Sequence, residues 1–344
     1  MTLTPAVAIA GVVMVALTFY VLFAGADFGG GVWDFLASGP RKKEQRNVIS
    51  HALAPIWEAN HVWLILVIVL LFTCFPSAFS IIVIVLHIPL TFMLLGIVLR
   101  GSAFIFRSYG STADAAQQWW GRVFAIASIV TPVLLGMCVG AVATGIAWGT
   151  HPASYGEPTH LPFVTDFILP WYTWFGLGVG LMALALFSFL AAVYLTVETE
   201  GTPLQEDFRK RALWSAGAVF VIAFGVLALS WSQAPMVRRG LMAGSWAFPF
   251  HVVTGVSALT AIAALYTRRF HLARTAAAAQ VTFILWGWAA SQYPYLLPPT
   301  LTIEAAAAPM RTLVLVLWAL AAGACVLFPS LYYLFRIFKM QRSA

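Results

Sequence analysis

The stretch Leu53–Phe72, LAPIWEANHVWLILVIVLLF, sets a polar knot directly against an unbroken apolar run. Trp57, Glu58, Asn60, His61 and Trp63, with His51 just upstream, crowd the entry to Leu64–Phe72. Glu58 and His61 are one helical turn apart and share a face. A second acid, Asp27, sits in Phe23–Gly31, near the end of the preceding apolar segment. A carboxylate in or near hydrocarbon costs about 2.5–3.5 kcal/mol even on a lenient insertion scale, so a membrane chain keeps one where it works or is paired.

Working outward, apolar runs of this kind recur from end to end. The chain has 344 residues, 61% of them hydrophobic and 9% charged, against about 25% charged in a soluble domain. The fold class is therefore all-α and polytopic. About nine spans of roughly 20 or more residues are expected, near 6–33, 51–75, 78–106, 119–148, 164–197, 211–233, 245–267, 275–294 and 307–338. The connections are short, so one transmembrane helical domain over 1–344 is expected, organised as two four-helix bundles and a peripheral helix. The proline-bearing segments 151–162 and 291–309 read as irregular outside loops. Gly25xxxGly29, Gly136xxxGly140 and Gly176xxxGly180 read as small-residue packing faces.

The net charge of +7 is distributed by topology. Sixteen of the 19 basic residues fall in alternate connections: Arg41–Arg46, Arg100–Arg122, Arg209–Arg211, Arg268–Arg274 and the C-terminal Arg336–Arg342. Only Arg238, Arg239 and Arg311 fall on the other side. This positive-inside pattern places the N-terminus outside and the C-terminus in the cytoplasm, and it removes the reason to expect a nucleic-acid partner. No basic residue precedes Arg41, so the first apolar run reads as a retained helix. Cys74, Cys138 and Cys325 lack metal or disulfide spacing.

With this orientation Asp27 and Glu58 come to similar depth near the cytoplasmic side, where two acids suit a proton path. The plainer reading is that Asp27 caps a glycine-rich helix end and Glu58 pairs with Arg100. Glu58-x-x-His61 is half of a di-iron carboxylate motif whose second copy is absent, so no metal site is expected. His87 and His251 are lone candidates for haem ligation at unmatched depths, which favours hydrogen-bonded histidines over a haem pair.

The order of these features resembles subunit II of the cytochrome bd-type quinol oxidases. The resemblance rests on Gly25-Ala-Asp27-Phe-Gly-Gly-Gly31, on Leu53-Ala-Pro-Ile-Trp57-Glu58-Ala-Asn60-His-Val-Trp63-Leu64 and on Leu99-Arg100-Gly-Ser-Ala-Phe-Ile-Phe-Arg107, with Tyr293-Pro-Tyr-Leu-Leu-Pro298 before the last span. It implies a haem-free chain of a bacterial inner membrane, paired with a haem-bearing subunit I and with small single-span subunits. That complex oxidises ubiquinol or menaquinol and reduces oxygen to water, with haems b and d, or b only, in the partner. Asp27 and Glu58 match acids assigned to proton delivery or haem support. Trp57, Asn60, Trp63 and Arg100 match other characteristic positions. Three departures stand out: Ala24 replaces the usual acid of an Asp-Gly-Phe-Asp pattern, Glu58 replaces an aspartate, and His61 replaces an uncharged polar residue. Two other classes compete: a proton-coupled secondary transporter with helices broken at the midplane, and a haem-bearing cytochrome b-like subunit.

Overall fold

Thr4 and Pro5 start the first helix in a way that the sequence alone dictates. The Thr4 hydroxyl accepts a hydrogen bond from the Val7 amide at 3.2 Å, and Pro5 occupies the first turn, where its missing N–H costs nothing. In this computed structural model, residues 3–109, 114–145, 163–244 and 246–341 are described; side chains at 53–59, 108–109, 114–115, 328, 331–332 and 334–341 lie outside the description. The expected segment 151–162 and the side chains of Trp57 and Glu58 therefore lie outside the described residues.

The elements run α1 (Pro5–Phe35), α2 (Lys42–Cys74), α3 (Pro76–Val85), α4 (His87–Tyr109), α5 (Asp114–Thr144), α6 (Phe163–Phe167), α7 (Trp174–Glu198), α8 (Leu204–Gln233), α9 (Pro235–Ala243), α10 (Ala247–Tyr266), α11 (Phe270–Gln292), β1 (Tyr295–Leu297), β2 (Leu301–Thr302), α12 (Ile303–Ala306) and α13 (Met310–Gln341). The protein is an all-α polytopic membrane protein. A helix lies in each of the nine expected segments. Among the described residues seven helices are long and apolar enough to cross a membrane, or eight if the bent pair Asn60–Cys74 and Pro76–Val85 is one span. The eighth expected segment holds α11, whose first half, Phe270–Gln280, is rich in alanine and carries His271, Arg274 and Gln280.

Three expectations are corrected. The segment 78–106 is not one helix: it breaks at Leu86 between α3 and α4, and just before it the chain turns by 118° between α2 and α3. Pro76 and Pro89 fall in the first turns of α3 and α4, where proline is tolerated and the preceding helix cannot continue through it. The segment 164–197 is likewise split: α6 ends at Phe167, Pro170 lies in the turn, and Thr173 caps α7 by accepting from the Gly176 amide at 2.9 Å. The loop 291–309 is structured after all. β1 and β2 pair antiparallel, Tyr295 opposite Thr302 and Leu297 opposite Leu301. The Ala308 amide donates to the Cys74 carbonyl at 2.8 Å, so this end of the chain closes over the α2–α3 corner.

The opposite end of the bundle gathers the basic connections. Arg41 donates to both Asp207 carboxylate oxygens at 2.6 and 3.0 Å, Gln45 donates to Asp207 at 3.1 Å, and Arg211 donates to Gln45 Oε1 at 2.7 Å. Arg268 reaches Glu206 at 3.6 Å. The first, fifth and seventh connections thus meet at one end, as the charge pattern requires.

Close helix approach supplies the core. Gly136 and Gly140 of α5 face Gly180 and Gly176 of α7, antiparallel: a Cβ on Gly136 would stand 2.6 Å from the Gly180 Cα, and one on Gly140 2.8 Å from the Gly176 Cα. With apolar lipid outside, such van der Waals fit is what holds spans together. Gly180→Ala, whose Cβ would stand 2.6 Å from the Val133 carbonyl oxygen, is expected to destabilise the protein by about 1–3 kcal/mol. Gly255→Ala, where a Cβ meets nothing within 4 Å, should be neutral; melting temperatures in detergent compare the two.

Candidate functional site at the Asp27–Arg100 pair

The glycine run of α1 exists for what it lets pass. A Cβ on Gly29 would collide with the Phe187 carbonyl oxygen of α7 at 2.0 Å, and one on Gly31 with Ser128 Oγ of α5 at 2.1 Å. Residues 24–34 of α1 are all buried as a result. In the middle of this run stands Asp27, fully buried, on a helix that continues to Phe35. It does not cap a helix end, which corrects that reading.

Its partner is Arg100 of α4, 2% exposed and among the largest fully buried side chains. Arg100 Nη1 donates to Asp27 Oδ2 at 2.6 Å, and Nη2 to Oδ1 at 2.7 Å and to the Asp27 carbonyl at 2.8 Å. Arg100 Nε donates to Ser128 Oγ at 2.9 Å, and that hydroxyl donates onward to the Phe124 carbonyl at 2.7 Å. The faces of the guanidinium are covered by the Phe28 and Phe124 rings, each 4.8 Å away. A bidentate, charge-assisted fork with aromatic faces is the arrangement that lets two charges stay buried. Among the described residues the hydrogen bonds of Arg100 go to Asp27 and Ser128; the expected pairing with Glu58 falls on a side chain outside the described residues.

One heptad further on, the same geometry repeats. Arg107 Nη1 and Nη2 donate to Asp34 Oδ2 and Oδ1 at 2.8 and 3.0 Å. Arg46 adds a bond to the Asp34 carbonyl at 3.2 Å. Sequence reading missed Asp34 and Ser128. The signal for Asp34 was its seven-residue offset from Asp27, matching the offset of Arg107 from Arg100.

Trp63, in the polar knot of α2, packs against the cluster that holds Phe28 beside this pair. Trp63 stacks on Phe19 at 4.5 Å and borders the buried cluster of Tyr20, Ala24, Phe28 and Phe187. Ala24, at the place of the missing acid, is wholly buried within that apolar cluster. Asn60 is also wholly buried, and neither amide atom has a hydrogen-bond partner among the described residues. His61 is half-buried. Glu58 lies on α2 one turn before it.

The remaining candidates lie apart. His87 is the first residue of α4, not mid-span; its Nδ1 bonds the Ile84 carbonyl at 2.8 Å and its ring meets the Phe167 edge-on. His251 Nε2 bonds the Leu241 carbonyl at 2.8 Å. Among the described residues no group of three or more His, Cys, Asp or Glu side chains is arranged to hold a metal, and the cysteines are unbridged.

Arg100→Met strands Asp27 as a buried, unpaired charge and is expected to cost about 3–5 kcal/mol, whereas replacing both members, Asp27→Leu with Arg100→Met, should cost markedly less than the two single changes together. A double-mutant cycle on melting temperature in detergent measures the coupling.

The comparisons with known proteins bear on the whole of this architecture. The family model described as cytochrome bd terminal oxidase subunit II matches residues 5–338. A Bacillus subtilis protein, cytochrome bd ubiquinol oxidase subunit 2, is 30% identical over 232 residues, which cover 66% of this chain and 64% of that one. The putative cytochrome bd menaquinol oxidase subunit II of the same organism is 21% identical over 337 residues, 94% of this chain and 92% of its own length. Subunit 2 of the Escherichia coli K12 cytochrome bd-I ubiquinol oxidase is 26% identical over 219 residues, 63% of this chain and 54% of that one. Against the first and third of these relatives, then, the match spans less than two thirds of the relative's length. A chain of the bd oxidase structure from Geobacillus thermodenitrificans shares the fold at a TM-score of 0.79 and 22% identity, over 98% of this chain and 99% of that one. A family model that starts at the first turn of α1 and ends inside α13 leaves no element of the bundle unaccounted for, and the chain belongs to the cytochrome bd terminal oxidase subunit II family.

Proposed function

We propose that this chain is the haem-free subunit II of a bd-type quinol:oxygen oxidoreductase, a multi-pass complex of the bacterial inner membrane. It stands against a haem-bearing subunit I that carries haems b and d, or b only. Small single-span subunits and membrane lipids complete the assembly, ubiquinol or menaquinol is the electron donor, and oxygen is reduced to water with cytoplasmic protons. The chain is an accessory subunit and performs no chemistry alone. The observation that carries this reading is the family match over residues 5–338. The nine-span plan, with the N-terminus outside and two four-helix bundles plus α13 at the periphery, belongs to the same proposal.

Within it, the two acids divide the work. Both oxygens of Asp27 are occupied by Arg100, so a proton placed there would break the fork and leave a buried guanidinium uncompensated. Asp27 is accordingly the supporting residue: it fixes α1 against α4 and shapes the surface offered to the partner's haems. Glu58 is the proton-carrying candidate, at the mouth of the polar knot with Asn60, whose unpartnered amide is suited to hold a bridging water. Trp57, Asn60, His61 and Trp63 are the supporting polar and aromatic residues of that stretch. For oxygen access the chain offers an apolar cavity of about 390 Å³ bounded by α5 and α7–α11, with Phe187 between it and Phe28.

The transporter reading draws less support. Its broken helices surround a midplane site, whereas the 118° turn here lies at the end of α2 under the residues that follow β2. The cytochrome b-like reading needs histidines that face one another, and His87 and His251 sit on carbonyls at separate helix starts.

Expressed with its partner, the chain should co-purify with a second membrane protein carrying the haem; purified alone, it should show no Soret band. A chain that folds alone and gains nothing from a partner would count against the subunit reading. Glu58→Asp, which keeps a titratable group one methylene shorter, should retain more oxygen consumption than Glu58→Gln, which keeps the length but cannot titrate. The comparison is made at equal haem content of the complex, and Gln outperforming Asp there would remove Glu58 as a relay. Asp27→Asn, in contrast, should lower haem occupancy together with activity.

A further inference from the structure

At the basic end of the bundle α8 and α10 leave an open groove of about 760 Å³, bordered by Lys210, Trp214, Gly217, Ala218, Val221 and Tyr266. Its floor is apolar and kept open by two small residues, Gly217 and Ala218: a Cβ on Gly217 would meet nothing within 4 Å, so helix packing does not require glycine there. Its walls stand free of the rest of the chain, with Trp214 81% and Tyr266 66% exposed. An apolar channel flanked by an exposed tryptophan and tyrosine at the boundary of a span is the pattern of a membrane–water interface.

The mouth of the groove carries unspent positive charge. Glu206, one turn before Lys210, is held by Arg209 through three hydrogen bonds of 2.7 to 3.0 Å and lies 3.6 Å from Arg268. Lys210 stands in the field of the same carboxylate and makes no hydrogen bond or ion pair among the described residues. Three cations thus share one acid. Arg268 is held in the left-handed region with φ 58°, where it closes α10 by the Arg269 amide donating to the Ala264 carbonyl at 2.8 Å. Glycine usually fills such a position, so the arginine occupies it at a backbone cost, and its guanidinium reaches back to the Glu206 carboxylate.

We propose that this groove is a binding site for an anionic phospholipid. One acyl chain lies along Gly217, Ala218 and Val221, between Trp214 and Tyr266. The phosphate sits at the mouth, where Lys210 and Arg268 supply the charge that Glu206 leaves unneutralised. A zwitterionic lipid fits the channel equally well but brings its own cation to the mouth, so the site discriminates by headgroup charge.

The test uses the protein purified with whatever co-purifies, stripped of loosely bound lipid in detergent and titrated with phosphatidylglycerol or phosphatidylcholine of matched acyl chains, bound lipid being counted by native mass spectrometry. Wild type is expected to hold phosphatidylglycerol about fivefold more tightly or better. Lys210→Gln should abolish that preference while leaving phosphatidylcholine unchanged, and Gly217→Leu should lose both lipids. Ala218→Met fills the same channel and serves as a second reading should Gly217→Leu fail to fold. Lys43→Gln, at an exposed lysine in the first turn of α2, should behave as wild type. Equal binding of the two lipids by wild type, an equal loss in Lys43→Gln, or lipid binding that survives both channel-filling variants would each overturn the proposal. So would variants that change the recovery of a co-purifying protein instead of the lipid count, since the groove would then be a protein contact. These readouts do not depend on oxidase activity, so they stand or fall apart from the proposed function.

Discussion

A carboxylate and a guanidinium that neither lipid nor water can reach must satisfy each other, and Asp27 and Arg100 do so through a two-pronged fork, with a third bond to the Asp27 carbonyl and a fourth to Ser128. Much of the surrounding structure follows from that requirement. Two faces of the guanidinium need cover, and Phe28 and Phe124 provide it. The Nε donor needs an acceptor, and α5 must come close enough for Ser128 to supply one. That approach is possible only where α1 has no side chain, at Gly31. One buried ion pair therefore dictates the composition of three helices.

The same logic separates the two halves of the core. Around α1 the small residues admit a polar cluster; between α5 and α7 they admit only backbone, with glycine facing glycine. The first arrangement gives specificity, because a buried pair tolerates few alternatives. The second gives attraction, because close backbones maximise dispersion contacts in a setting without a hydrophobic driving force. α7 takes part in both, through Phe187 on one side and Gly176 and Gly180 on the other.

What was legible in the letters and what was not divides along physical lines. Apolar run length reports spans because the bilayer sets it, and it placed a helix in each expected segment. The glycine motifs were legible because their spacing is helical. The breaks were not: Ile168, Leu169 and Trp171 keep the hydropathy high across the turn between α6 and α7, and a hydropathy window cannot tell a corner from a crossing. The loop after α11 looked irregular because prolines remove donors, yet rigid corners also position short strands for pairing. Asp27 stands out by the cost of a carboxylate in hydrocarbon, but that its partner is Arg100 emerges only from the packing of α1 on its neighbours. Asp34 escaped notice because a carboxylate beside the first connection reads as an ordinary boundary charge.

The two ion pairs join α1 to α4 with the same offset, Asp27 to Arg100 and Asp34 to Arg107. They act as two teeth of a rack. On a helix the teeth stand about 10.5 Å apart along the axis, so a slide of one turn disengages both pairs at once, and a slide of a full repeat re-engages only one. The two pairs together oppose piston motion of α1 against α4. A displacement imposed on Arg107 at the basic end is handed to Arg100 in the interior at full length, without a slipping joint between them.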